Sequence, residues 1–279
     1  MSYIILKNNE KFYFDNMKIM GIINANGDSF YEGSRTQSVE AGTLNALRMI
    51  KEGADIIDIG GESTRPGSHP ISTEEEISRV VPIIEGIREV DKNILISIDT
   101  YRAETAQAAI KAGADIVNDI SAMTFDKEMA ATVLKNNVPI ILMHIQGSPR
   151  DMQKNPLYDN VVKEVMEFLS GRIKYALSMG ISKDKIILDP GIGFGKLYKH
   201  NIELIKRIHE FRELELPILL AVSRKGSIGI ATGGLPAEDR LEGTIAVTCY
   251  AALKGVEIIR VHDVKENKRA AMMIEALNE

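Results

Sequence analysis

Residues 56–68 read IIDIGGESTRPGS, an apolar run that ends abruptly in a polar loop. Ile56 to Ile59 has the character of a buried strand, and it delivers its end straight into Gly60, Gly61, Glu62, Ser63, Thr64, Arg65, Pro66 and Gly67. The loop has the chemistry of a ligand contact. Paired glycines admit close backbone approach, Ser63 and Thr64 offer hydroxyls, Arg65 offers a forked cation, and Pro66 with Gly67 restricts the onward path. Taken alone it is equally an ordinary strand-to-helix turn, because connecting loops are polar in most proteins. Recurrence decides its reading.

The same event, an apolar run ending in a polar residue, repeats along the chain. Strand-like runs lie at 18–24, 55–60, 95–100, 116–119, 139–144, 186–191, 217–222 and 258–263. Between them lie helix-like segments at 36–52, 73–89, 103–111, 127–135, 158–179, 200–211, 237–253 and 265–277. Segment 158–179 has the period most clearly: Val161, Val162, Val165, Met166, Leu169, Ile173 and Leu177 share one face, with Lys163, Glu164, Arg172 and Lys174 elsewhere. The strands are nearly continuous in apolar residues, as parallel strands covered on both faces should be. Eight βα units with no linker or low-complexity tract predict a single domain, residues 1–279, closed as a (β/α)8 TIM barrel. An open doubly wound sheet would place GxGxxG after its first strand, where this chain has NANGDSF. Ahead of the barrel, apolar YIIL and FYF flank KNNEK, which predicts a short N-terminal β-hairpin over residues 3–15 lying across the barrel base.

Composition narrows the function. The chain has 279 residues, 44% hydrophobic and 26% charged, with a net charge of -5, which argues against nucleic acid or an anionic membrane as main partner. The N-terminus breaks its apolar run at Lys7, so neither a secretory signal nor a membrane span is expected and the chain is placed in the cytoplasm. Cys249, the one cysteine, sits in AVTCYAALKG and reads as a small buried core residue.

In a (β/α)8 barrel the ligand site lies at the C-terminal ends of the strands. Those ends are Asn24, Gly60 to Thr64, Asp99, Asn118 with Asp119, His144, Asp189, Ser223 to Lys225, and Arg260 with His262 and Asp263. Singly, such residues are turn formers or helix caps. Together they converge on one mouth, with the carboxylates Asp99 and Asp189 on one part and the cations Lys225 and Arg260, joined by His262, on another. A ligand that satisfies both must carry amide-like donors and a strongly anionic group, as a heterocycle bearing phosphate does.

The motifs MGIINANGDSF, ADIIDIGGESTRPGS, SIDT, VNDISA, LMHIQGSP, LDPGIGFGK, SRK and RLEGTIAVTCYAALKGVEIIRVHDVKE occur in that order. Over residues 18–268 they make the chain similar to the dihydropteroate synthase family. The resemblance implies a transferase of folate biosynthesis. It joins 6-hydroxymethyl-7,8-dihydropterin diphosphate to 4-aminobenzoate, releases diphosphate and is a target of sulfonamides. Carried over position by position, Asp99, Asn118 and Asp189 would grip the pterin edge, with Met143, Gly193 and Phe194 around it. Lys225 would lie at the ring, and Arg260 would cover the ring face and reach toward phosphate. Asn24, Arg260 and His262 would hold the diphosphate end, Asn24 also meeting Mg²⁺. Catalysis in the family is largely dissociative, so Asn24, Lys225, Arg260 and His262 would act by electrostatic placement. Two loops, carrying Asp28, Ser29, Phe30 and Glu32, and Ser63, Thr64, Arg65 and Pro66, would complete a 4-aminobenzoate pocket against Phe194, Lys225 and Gly226. The resemblance also implies a homodimer.

Two departures fall on the second substrate. The family's first loop commonly carries a proline where this chain has Asn26 and Gly27, and many members carry a serine at Gly226. The alternatives are a pterin-dependent, corrinoid-linked methyltransferase, which shares the barrel but generally lacks the STRPG and SRK pair, and a non-catalytic pterin-binding paralogue.

Overall fold

The computed structural model describes residues 2–25, 35–65 and 67–278, with residues 35–38 described as helix backbone alone. The expectations for Asn26, Gly27, Asp28, Ser29, Phe30, Glu32 and Pro66 lie outside the described residues.

Eight parallel strands form the sheet: β3 (Lys18–Asn24), β4 (Ile56–Gly60), β5 (Leu95–Asp99), β6 (Ile116–Asp119), β7 (Ile140–Met143), β8 (Ile186–Asp189), β9 (Leu219–Ala221) and β10 (Ile258–Val261). Each pairs with the next, β10 returns to β3, and a parallel bridge from Leu188 to Ile218 joins β8 to the start of β9, closing a barrel. The strands lie within a residue or two of the runs predicted from sequence.

Alternation along the strands builds the barrel in layers. Outward residues such as Ile19, Ile57, Ile96, Val117, Ile140, Leu188 and Ile259 are buried under the helices. Inward, Met20, Ile56, Leu95, Ile116, Ile141, Ile187, Leu219 and Ile258, one per strand, pack into an apolar floor. The predicted hairpin, β1 (Tyr3–Ile5) paired with β2 (Lys11–Tyr13), covers that floor, with its Ile4 and the adjoining Phe14 buried against it. Two residues further along, five of the eight strands turn polar on the inward side, at Asp58, Ser97, Asn118, Asp189 and Arg260, while Ile22, Met143 and Ala221 stay apolar; Asn24 and Asp99 follow one layer higher.

The helices are α1 (Arg35–Lys51), α2 (Thr73–Val90), α3 (Ala103–Ala112), α4 (Met129–Asn136), α5 (Val161–Ser178), α6 (Tyr198–Lys206), α7 (Gly226–Ala231), α8 (Leu241–Leu253) and α9 (Val264–Asn278). Local chemistry sets their ends. Ser72 caps α2 by accepting from the Glu75 N–H at 3.2 Å, with Glu74 to Glu76 in the first turn complementing the helix dipole. Asn160 caps α5 the same way, so that helix begins at Val161 rather than at 158. The helix expected over 200–211 divides at Arg207, where the chain tightens into a 3-10 turn that buries Ile208 and Phe211. Helix α7 was not expected, since GSIGIA, with two glycines in six residues, is a poor helix former. Cys249 is half-buried on α8, a correction to its reading as core: α8 is apolar on all sides, and Thr244, Thr248 and Ala251 take the inner face. No helix among the described residues is long and apolar enough to cross a membrane.

Candidate active site

The mouth of the barrel holds a cavity of about 650 Å³. Of the residues predicted from sequence, Asn24, Thr64, Arg65, Asp99, Asn118, Met143, Asp189, Gly193, Phe194, Lys225, Gly226, Arg260 and His262 line it, and Ser63 does not. Three other strand-end residues are spent elsewhere, while Ser223 and Arg224 also line the cavity. Asp119 accepts from the Ser121 and Met123 N–H groups at 2.8 and 2.7 Å and holds the left-handed turn at Ala122 and Met123. His144 turns away from the mouth toward Phe168 and Tyr158, where burial lowers its pKa to about 2. Asp263 accepts from Nε and Nη2 of Arg224 at 2.8 Å each.

Carboxylates and cations interlock at the centre. Arg260 donates through Nε to Asp58 at 2.6 Å and through Nη2 to Asp99 at 2.7 Å. Asn118 Nδ2 donates to the same Asp58 oxygen at 3.2 Å. Burial, with Asp58 adding to it, pushes the Asp99 carboxyl up to about 7 although Arg260 pulls the other way. Burial likewise raises Asp189, opposed by Lys225 and by the Gly191 N–H, which donates to Asp189 Oδ1 at 2.7 Å. One face of Asp189 therefore holds the loop and the other is left for a ligand.

Lys225 donates to the Ile192 carbonyl and lies 4.8 Å from the Phe194 ring centroid. Burial brings its pKa down to about 8, against the pull of Asp189. His262 is neutral: burial, then Arg260, lowers it to about 4. Ser223 Oγ accepts the His262 N–H at 3.2 Å and lies 2.9 Å from Nδ1, so its hydroxyl is placed to donate there and leave Nε2–H as the ring's donor. In the free site His262 is a hydrogen-bond donor rather than the cation expected beside Arg260.

The loop carrying Gly193 and Phe194 has its carbonyls taken one by one. Lys196, buried, donates to Gly191 and Phe194 at 2.9 Å each and lies 2.8 Å from His144 Nδ1; Gln153 donates to Gly193 at 2.6 Å and Tyr158 to Gly195 at 2.8 Å. Gly191 and Gly195 have φ of 70° and 63°, and a Cβ at either would collide with the carbonyls of His144 and Gln146. On the opposite rim Glu62 serves the loop rather than the ligand. It accepts from Tyr101, Arg102 and the Ile71 N–H at 2.7, 2.7 and 3.0 Å, and Arg102 also donates to buried Glu76 at 2.7 Å.

The profile described as "Pterin binding enzyme" matches residues 20–262. The dihydropteroate synthase of Clostridium beijerinckii is 47% identical over 260 residues, covering 93% of this chain and 93% of its own. The chain belongs to the dihydropteroate synthases. Among solved structures, the dihydropteroate synthase of Xanthomonas albilineans with 4-aminobenzoic acid superposes with a TM-score of 0.92 at 38% identity, over 99% of this chain and 98% of that one. That of Yersinia pestis with a sulfonamide drug gives 0.92 at 36% identity, over 99% of each.

For a dihydropteroate synthase two residues matter that the motifs did not single out. Asp58 is fully buried at the centre of β4, touching both Arg260 and Asn118; an acid two residues before Gly60 on the inward face was its signal. Lys196 closes LDPGIGFGK, and its strand-distant position gave no sign that it turns back beneath the loop. Gly226 opens α7 with nothing within 4 Å of where a Cβ would stand. Among the described residues no three His, Cys, Asp or Glu side chains form a metal-binding group. Asn24, which lines the cavity, offers one amide oxygen of the kind a hard ion takes alongside ligand oxygens and water.

Proposed function

We propose that this dihydropteroate synthase seats the pterin against Asp99, Asn118 and Asp189, with Met143, Gly193 and Phe194 walling the ring and Lys225 beside it. The observation that carries this is a cavity in which acids shifted by burial at one side face Arg260 and His262 at the other. A buried carboxylate needs donors, and the amino and ring N–H groups of a pterin supply them side by side. Arg260 and the neutral Nε2–H of His262 receive the diphosphate, with Asn24 at the same end. Charge develops there as the C–O bond to diphosphate breaks, and fixed donors stabilise the departing anion with no nucleophile required from the protein. Mg²⁺, held by the Asn24 amide oxygen together with substrate oxygens, would neutralise part of that charge.

4-Aminobenzoate then lies between Phe194, Lys225 and the rim residues Thr64 and Arg65, with Ser63 and Gly226 behind them, and its amine reaches the pterin carbon from which diphosphate has left. Asp28, Ser29, Phe30, Glu32 and Pro66 belong to the same pocket by family resemblance. That resemblance also supports action as one domain spanning residues 1–279, as a homodimer in the cytoplasm, with sulfonamides competing for the aminobenzoate position. A coupled assay of diphosphate release tests the reading. Release from 6-hydroxymethyl-7,8-dihydropterin diphosphate should require 4-aminobenzoate and fall with a sulfonamide. Pterin binding without aminobenzoate-dependent release would refute it and favour a non-catalytic paralogue; methyl transfer to a corrinoid would favour a methyltransferase.

A further inference from the structure

We infer that Arg260 changes partner when the pterin binds: its Nη2 leaves Asp99, which passes to the pterin donors, while its Nε stays on Asp58 and keeps the freed guanidinium turned to the anion end. This rests on the reading of Asp99 as a pterin-binding acid. In the free enzyme Nε and Nη2 of Arg260 are engaged, at 2.6 Å on Asp58 and 2.7 Å on Asp99, so a diphosphate that takes this side of the guanidinium must compete with Asp99 for Nη2. A seated pterin removes that competition by satisfying Asp99 itself.

Asp58 suits the part of a positioning residue. It is 0% exposed, a layer below Asn24 and Asp99, and so holds side chains rather than substrate. One of its oxygens accepts from Arg260 and also from Asn118, which ties the anion end and the pterin end to a single atom. Its other oxygen, and the hydroxyl of its register partner Ser97, have no hydrogen-bond partner among the described residues. A buried ion pair of this kind adds little net stability, but it restricts rotation of the guanidinium to a turn about the Nε contact.

The consequence is that the two halves of the site fill cooperatively. Diphosphate binds weakly to the empty enzyme and well only beside a pterin, which lets the released product leave once dihydropteroate has gone. Cooperativity in binding is reciprocal, so each ligand must tighten the other by the same factor.

Calorimetry with two probes, inorganic diphosphate with magnesium and 6-hydroxymethylpterin without phosphate, tests this. In the parent each probe should bind about fivefold or more tightly when the other saturates the site. Asp58→Asn should bind each probe yet bring that factor close to one, whereas Ser97→Ala, which removes a polar group from the same buried layer, should keep it. Asp99→Asn should bind diphosphate alone about as tightly as the pterin-loaded parent does, which tests the exchange even where Asp58→Asn does not fold. Independent binding of the probes in the parent, or cooperativity that survives in folded Asp58→Asn, overturns the exchange and leaves the proposed function standing. Failure of the parent to bind the pterin at all overturns both.

Discussion

The two ends of this barrel are built from the same strands by opposite rules. At the base, Met20, Ile56, Leu95, Ile116, Ile141, Ile187, Leu219 and Ile258 close around Ile4 of the hairpin in an apolar layer. At the mouth, one or two layers up, Asp58, Asp99, Asp189, Lys225 and Arg260 are crowded into partly dry surroundings, and burial is the first cause of the displaced pKa of Asp99, Asp189 and Lys225 alike. Apolar burial stabilises the fold roughly in proportion to area, whereas buried charges cost stability unless a partner arrives. The base therefore supplies stability that the mouth spends on preorganised charge. Substitutions at the two ends should separate cleanly into those that change melting and those that change binding.

Asp189→Asn is the largest test at the mouth. The amide keeps an acceptor for the Gly191 N–H but turns a donor toward the pterin donors, so affinity for the pterin diphosphate should fall by about 100-fold or more with little change in melting. A few-fold loss in calorimetry would remove Asp189 from the pterin site.

Ile4→Ala is the matching test at the base. It empties a fully buried position against the floor and should cost about 2–4 kcal/mol in a denaturant melt, while both Michaelis constants stay within twofold at a temperature where the variant is folded. A shifted Michaelis constant would mean that the ends are not independent.

The pH dependence joins activity to stability. The carboxylate of Asp99 and the ammonium of Lys225 coexist between about 7 and about 8, so kcat/KM for the pterin diphosphate should be bell-shaped with limbs near those values. Lys225→Arg should carry the alkaline limb well above 8. For stability the signs oppose this. Asp99, raised in the folded state, contributes stability that is complete below its ordinary 3.8 and lost as pH rises through about 7. Lys225, lowered in the folded state, contributes stability that is complete above its ordinary 10.5 and lost as pH falls through about 8. These two groups leave the mouth least stable where it is most competent. Lys225→Met should accordingly melt higher than the parent at pH 7.5, with the gain shrinking from pH 8 to 10.5; a variant that melts lower would show that this cation stabilises the free site.

Gly226→Ser should have the smallest effect. The space beside Gly226 is open, so the serine fits without displacing a neighbour and adds a hydroxyl at the aminobenzoate side. The Michaelis constant for 4-aminobenzoate should fall by a few-fold, about 1 kcal/mol for one added hydrogen bond, with pterin affinity unchanged. A change in pterin affinity alone would place Gly226 against the other substrate.

The barrel was legible because its signal is periodic and local. Each run of isoleucine, leucine and valine ended within a residue or two of an observed strand, and the closed order of strands follows from eight repeats of one unit. The residues at the strand ends were legible for the same reason, since a closed barrel leaves them one common mouth. Where strand-end logic misled, at Asp119 and His144, the side chain was claimed by a nearby backbone turn or by the buried Lys196. Sequence position gives no sign of such claims.

By itself, then, the sequence determined which segments are strands and helices, that the strands close, and which polar residues meet at the mouth, because periodicity and chain order suffice for those. Tertiary structure alone decided which acid faces which cation: that Arg260 is shared by Asp58 and Asp99, that one oxygen of Asp189 is spent on Gly191, that His262 is neutral, and that Lys196 lies beneath the loop bearing Phe194. These depend on distances of a few ångströms between residues up to 202 positions apart, and on how much water is excluded there. Coulomb energy and desolvation both vary steeply with those quantities, and neither is written in the order of the residues.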